Sequence, residues 1–216
     1  MVFLERVKAN WLRIVVHVGA LLPLAWTIWQ YSHGLFLVDP VLQITARTGK
    51  TALILLILSL ACTPLATLFG FYRALSVRRA LGLYAFLYAS LHFATFLWLD
   101  YGFDPGLLVQ AVFDQRYVLV GFAAGLILLV LAITGSRGWQ KRLGKNWKRL
   151  HRLTYLAAIL AIIHFVWLSK DFREPLRYGL VLVVLLALRL PFARRALSTV
   201  RQQLSSRLRP IHHKSQ

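Results

Sequence analysis

Acidic residues are scarce in this chain, seven against 26 Lys and Arg among 216 residues, which gives a formal net charge of +19. Cysteine and methionine are nearly absent, each appearing once, as Cys62 and Met1. A single cysteine excludes an intrachain disulfide, a Cys-based metal cluster and the C-x-x-C-H attachment of a covalent heme. A lone methionine at the start of the chain removes Met as an axial metal ligand. No acidic residue lies well inside an apolar run, so the paired intramembrane carboxylates of a proton-coupled carrier are missing. G-x-G-x-x-G is absent, and the apolar runs leave no length for a dinucleotide-binding domain, so the chain is not expected to oxidise a nicotinamide cofactor alone.

What the chain has in quantity is apolar sequence. Its 58% of hydrophobic residues against 15% charged exceed what an ordinary soluble domain carries. A bilayer core needs about 20 apolar residues per helix, and six runs of roughly that length fill most of the chain: 11–31, 51–69, 80–99, 117–134, 150–168 and 176–192. The expected fold is therefore an all-α, six-helix transmembrane bundle in one domain, followed by a basic tail over 196–216. The first run has no A-x-A cleavage signal and reads as a retained span. Pro23 and Pro64 fall inside spans, where neighbouring helices can satisfy the freed carbonyls. Arg189, in the sixth run, is expected to snorkel to the interface. Trp26, Trp29, Tyr31, Trp98, Tyr101 and Trp167 fall near the predicted outer ends, as an aromatic belt. Val200, Leu204 and Leu208 recur at helical spacing and suggest a surface helix in the tail. No internal repeat is apparent from the residues.

The basic residues lie in short blocks between apolar runs, which argues for topology signals and against a nucleic-acid surface. The N-terminus, the second loop (Arg73, Arg78, Arg79), the fourth loop (Arg137, Lys141, Arg142, Lys145, Lys148, Arg149) and the tail are strongly basic. The alternate loops hold six of the seven acids: Asp39, Asp100, Asp104, Asp114, Asp171 and Glu174. The positive-inside rule then places both termini in the cytoplasm.

Histidine is the ionisable residue that does enter the spans, as His17, His92 and His164, with His151 at the cytoplasmic mouth of the fifth. The third and fifth runs both lead outward. His92 lies 12 residues beyond Ala80 and His164 lies 14 beyond Leu150, so the two reach nearly equal depth, in the outer half of the membrane. A porphyrin between adjacent helices would be ligated there from both sides, non-covalently and through nitrogen. His151 is ~20 Å nearer the cytoplasm at the helical rise, a spacing that suits a second heme. Its counterpart on the third run, 14 residues before His92, is Arg78. Arginine stays protonated and is a poor iron ligand, which leaves an unusually ligated inner heme or a pairing of Arg78 with a heme propionate. A histidine in a span also serves as a hydrogen-bonding partner between helices. That is the reading for His17, with a propionate contact as the other use. His33 is expected in a loop, and His212 and His213 in the tail.

Several stretches, in order, carry a resemblance that spans nearly the whole chain: His17-Val18-Gly19-Ala20-Leu21-Leu22-Pro23, Asp39-Pro40, Arg47-Thr48-Gly49-Lys50-Thr51-Ala52-Leu53, Thr63-Pro64-Leu65, Arg78-Arg79-Ala80-Leu81-Gly82-Leu83, Leu91-His92, and Arg142-Leu143-Gly144-Lys145 leading to Leu150-His151-Arg152. In these the chain resembles the MsrQ family, the heme-binding membrane subunit of bacterial periplasmic protein-methionine-sulfoxide reductase. The resemblance implies the ferric reductase-like transmembrane fold, shared with the membrane half of NADPH oxidases. It implies b-type heme, one or two, with His92, His151 and His164 as iron ligands. It further implies a place in the bacterial inner membrane, FMN, a quinone or a cytoplasmic flavin reductase as electron source, and delivery of electrons to the periplasmic molybdopterin enzyme MsrP. The larger oxidases have two histidines on each of the third and fifth helices, whereas this chain offers Arg78 for the fourth.

Two other readings belong to different classes. One is a stand-alone ferric or oxygen reductase using the same hemes. The other is a heme-free membrane transporter, against which the missing buried acids already count. The basic fourth loop serves either as a docking or phosphate-binding surface or as a topology signal alone. Gly121-x-x-x-Gly125 is a small-residue contact motif for helix packing.

Overall fold

The computed structural model describes residues 2–36 and 38–190, with side chains from residue 10 onward. Among them every regular element is helical. Helix α1 covers Val2–Ser32 and α2 Pro40–Phe69. A 3-10 turn over Tyr72–Ser76 leads into α3, Arg78–Ala94, which continues as a π-helical turn over Thr95–Asp100. Then come α4 (Pro105–Asp114), α5 (Arg116–Ile133), α6 (Arg137–Leu143), α7 (Lys145–Leu150), α8 (Leu153–Leu168) and α9 (Arg173–Ala187).

Five of these stretches are long and apolar enough to cross a membrane: Asn10–Ser32, Pro40–Phe69, Arg78–Asp100, Arg116–Ile133 and Lys145–Leu168. They match the first five predicted spans. The sixth predicted span meets α9, which has only 15 residues. The end of that run, the basic tail, His212 and His213, and the surface helix expected around Leu204 lie outside the described residues.

Local chemistry sets the helix ends. Asp39 caps α2 by accepting the Leu42 N–H at 3.0 Å, with Pro40 in the first turn. This cap starts α2 well before the apolar run and carries the polar stretch from Gln43 to Lys50 into the helix. Gly70 ends α2 in the left-handed region at φ 72°. Asp104 caps α4 through the N–H groups of Gly106 and Leu107, with Pro105 behind it. The apolar stretch there, Leu107 to Phe113, is too short to cross a bilayer, so α4 is not among the six predicted spans.

Helices α2 with α3, and α5 with α8, form the two most extensively packed pairs, and α3 against α5 joins them. Small residues permit the close approach: Ala85 on α3 and Ala157 and Ala158 on α8 are completely enclosed. Tyr88, also enclosed, donates its hydroxyl proton to the Ala20 carbonyl at 2.7 Å and ties α3 to α1. The outward faces remain apolar, with Leu22 61% and Leu180 66% exposed, a surface that hydrocarbon rather than water would cover.

Arg189 departs from the expected snorkelling. Its guanidinium turns inward, donating to the Leu60 carbonyl and the Tyr155 hydroxyl and lying over the Tyr155 ring at 5.0 Å. The cause lies on α2. Pro64 has no N–H to donate to the carbonyl four residues back, which is that of Leu60, and the arginine supplies the missing donor.

Candidate functional site

The site begins with a histidine on each helix pair. His92 on α3 donates its Nδ1 proton to the Thr45 carbonyl on α2 at 2.9 Å. His164 on α8 does the same with the Tyr117 carbonyl on α5 at 2.8 Å. Each carbonyl comes 47 residues before its histidine. Two helix pairs thus use the same device with the same spacing. The intervening side chains differ too much for the letters to reveal it.

These bonds settle the chemistry of the rings. A neutral imidazole that gives up its Nδ1 proton to a carbonyl presents its Nε2 lone pair. The carbonyl fixes ring orientation and raises ligand basicity, as partners of metal-bound histidine do. Thr45 braces its side further: its hydroxyl donates to Thr95 Oγ1 at 3.0 Å, and that hydroxyl donates to the His92 carbonyl at 2.8 Å. The π-helical turn begins at Thr95, so the distortion of α3 falls just beyond His92.

The two rings face each other, centroids 6.0 Å apart with planes crossed at 86°. Two metal–imidazole bonds of about 2 Å each would account for most of that separation. Among the described residues no point gathers three or more His, Cys, Asp or Glu side chains. A donor set of two nitrogens and nothing more suits a metal that brings its own equatorial ligands, as heme iron does. The residues present therefore fit a heme held between α3 and α8.

The second predicted position is built differently. His151 follows α7, its ring stacked on Trp147 at 4.1 Å and its Nε2 3.3 Å from Thr134 Oγ1. The Thr134 proton is already given to the Val130 carbonyl at 2.6 Å, so toward the histidine this oxygen can only accept. Nε2 is then the protonated nitrogen, the opposite tautomer to that of His92 and His164. Arg78 donates to Thr63 Oγ1 at 3.3 Å and accepts the Ser59 hydroxyl on its backbone carbonyl at 2.9 Å. Among the described residues no hydrogen bond joins Arg78 to His151. His92 and His164 are thus brought ring to ring; His151 and Arg78 share no hydrogen bond, but the Arg78 charge lies near enough to act on His151.

The other described histidines, His17 and His33, take structural places. His17 Nδ1 shares a 2.8 Å hydrogen bond with the Tyr84 hydroxyl, joining α1 to α3 as an interhelical contact. His33 follows the end of α1 and bonds back to the Trp29 carbonyl at 2.9 Å. Sequence reasoning missed the contributions of Thr45, Tyr117, Gly49 and Gly121. The signal for them in the sequence is the glycine one turn beyond each carbonyl residue, at the same distance before each histidine.

Residues 48–162 match the family described as ferric reductase like transmembrane component. Among curated proteins, the chain is similar to the protein-methionine-sulfoxide reductase heme-binding subunit MsrQ of Xanthomonas axonopodis pv. citri (strain 306). The two are 45% identical over 184 residues, which cover 82% of this chain and 84% of that protein. The MsrQ subunits of Xanthomonas euvesicatoria pv. vesicatoria (strain 85-10) and Xanthomonas oryzae pv. oryzae (strain MAFF 311018) match at 45% and 44% identity, each over the same shares of the two chains.

Proposed function

The chain belongs to the MsrQ family of heme-binding subunits, and from that premise we propose that it carries electrons across the bacterial inner membrane to the periplasmic methionine sulfoxide reductase MsrP. The observation that carries this reading is the pair His92 and His164, facing at 6.0 Å with both Nδ1 protons bound to backbone carbonyls. A b-type heme bound there supplies a one-electron carrier.

The protein's own residues hold and orient that carrier. His92 and His164 would hold the heme iron, and the carbonyls of Thr45 and Tyr117, by taking the Nδ1 protons, keep their Nε2 atoms unprotonated. His151 and Arg78 mark a second position toward the basic end of the molecule. There Arg78 supplies a fixed positive charge for a propionate, and His151 ligates iron only if its contact with Thr134 gives way. Electrons enter at this end from quinol or from a reduced flavin such as FMN, with a flavin reductase as the cytoplasmic partner. The Arg137–Arg149 segment offers the positive surface for docking or phosphate binding. The chain is one ferric reductase-like transmembrane domain with both termini in the cytoplasm, its sixth span built on α9. Methionine sulfoxide reduction takes place in MsrP, which returns the side chain to its flexible apolar form.

A reduced-minus-oxidised visible spectrum of the detergent-purified protein, beside His92→Ala and His164→Ala, tests the ligand assignment. A b-type signal in the parent, largely lost in each variant, is the expected result. A signal indifferent to both substitutions would exclude this pair, and no signal from heme-replete cells would favour the transporter reading. Rapid turnover of ferric chelate or oxygen without MsrP would favour a stand-alone reductase.

A further inference from the structure

Glycine is a poor choice inside a helix, about 0.5–1 kcal/mol worse than alanine, yet α2 and α5 each place one beneath a histidine ring. Gly49 lies one turn after Thr45, and Gly121 one turn after Tyr117. A Cβ on Gly49 would sit 3.0 Å from Nδ1 and 3.1 Å from Cε1 of His92. A Cβ on Gly121 would sit 2.6 and 2.8 Å from the same atoms of His164. The first contact is tighter than ordinary packing. The second is closer than carbon and nitrogen approach without one of them moving. Gly125, one turn further along α5, is a natural contrast, because a Cβ there would meet nothing within 4 Å. Of the two glycines in the Gly121-x-x-x-Gly125 motif, only the first is in close contact, and what it meets is an imidazole.

We propose that Gly49 and Gly121 are positioning residues for the two ligand rings. The missing Cβ lets each imidazole rest against the backbone of the neighbouring helix, so that Nδ1 reaches the carbonyl one turn back and the two ring planes stay crossed at 86°. This rests on the assignment of His92 and His164 as axial ligands. Ring planes are pinned by two independent contacts per histidine, the carbonyl bond at Nδ1 and the glycine backbone against the ring. An added methyl on α5 must rotate or displace His164, and on α2 it must shift His92 by a smaller amount.

Crossed and parallel axial imidazoles are distinguishable without any turnover assay. Low-spin ferric heme with crossed ligand planes gives a highly anisotropic electron paramagnetic resonance signal, and parallel planes give an ordinary rhombic one. The experiment compares the oxidised, full-length parent with Gly121→Ala, Gly49→Ala and Gly125→Ala, together with midpoint potentials. The parent is expected to show the anisotropic signal, and Gly125→Ala to superimpose on it. Gly121→Ala should move to a rhombic signal with a shifted potential, or lose the six-coordinate low-spin state, and Gly49→Ala should change in the same sense by less. Parent g-values and potential retained in Gly121→Ala at full heme occupancy would overturn the proposal. If Gly121→Ala is not recovered folded, Gly49→Ala against Gly125→Ala decides by the same criteria. A parent without low-spin heme, or with one unaffected by His92→Ala and His164→Ala, overturns the ligand assignment and this proposal with it.

Discussion

Which nitrogen a histidine leaves free decides what it can do, and the partners of five histidines differ accordingly. His92 and His164 spend Nδ1 on carbonyls and keep Nε2 for a ligand, whereas His151 contacts Thr134 through Nε2. His17 and His33 bond through Nδ1 as well, but to a tyrosine hydroxyl and to the carbonyl of a residue one turn back, with no second imidazole facing them. The chemistry therefore separates His151 from the facing pair. His151→Ala is expected to leave the low-spin spectrum of the His92 and His164 centre in place and to lower heme content by no more than half. Heme content by pyridine hemochrome, read beside the resonance spectrum, checks this. Complete loss of heme would mean that all three histidines serve a single centre.

At the scale of elements, the most telling contact joins residues far apart in sequence. Pro64 leaves the Leu60 carbonyl without its helical donor inside the packed centre of α2, and Arg189, beyond the end of α9, donates to it. Removing the donor leaves a buried acceptor unsatisfied, at a cost of about 1–3 kcal/mol. Arg189→Met should therefore destabilise the folded protein by that amount in a detergent unfolding titration. Pro64→Ala added to Arg189→Met restores an N–H within α2, so the double variant is expected to be more stable than Arg189→Met alone. Strictly additive losses would place the role of Arg189 in its charge or in its contact with Tyr155. The same contact shows where sequence reading stops. The first five spans were legible because each is a long apolar run bounded by charge, and the facing of His92 and His164 was legible from depth alone. The direction of Arg189 was not, since it depends on a carbonyl freed by a proline on another helix. Backbone atoms have no letter in the sequence, so the carbonyls of Thr45 and Tyr117 were equally hidden. Gly49 and Gly121 are visible as letters, but they acquire meaning only when α2 meets α3 and α5 meets α8.

The whole molecule has a polarity that bears directly on the proposed electron transfer, because it would fix which end faces a donor. Asp39, Asp100, Asp104, Asp114, Asp171 and Glu174 collect in alternate connections, while Arg137–Arg149 marks the other end. Lys50 and Glu174 join α2 to α9 at the acidic end by a 2.6 Å ion pair. Both side chains are close to half exposed, so the pair contributes at most about 1 kcal/mol, and orientation must come from the distribution of basic residues instead. The solitary cysteine makes that orientation directly measurable. Cys62 is buried at 3% exposure, and Cys62→Ser yields a background without thiols. Into it a single cysteine can be placed at Gln140 on α6 or at Gln110 on α4, both exposed. A membrane-impermeant maleimide added to intact spheroplasts is expected to label Gln110→Cys and to spare Gln140→Cys until the membrane is permeabilised. Inverted vesicles should reverse the pattern. That result would set the His92 and His164 pair toward the periplasmic side, as the proposed delivery to MsrP requires, and the His151 end toward the proposed cytoplasmic donor. The opposite labelling would turn the carrier around, and delivery of electrons to a periplasmic enzyme from the facing histidine pair would no longer be tenable.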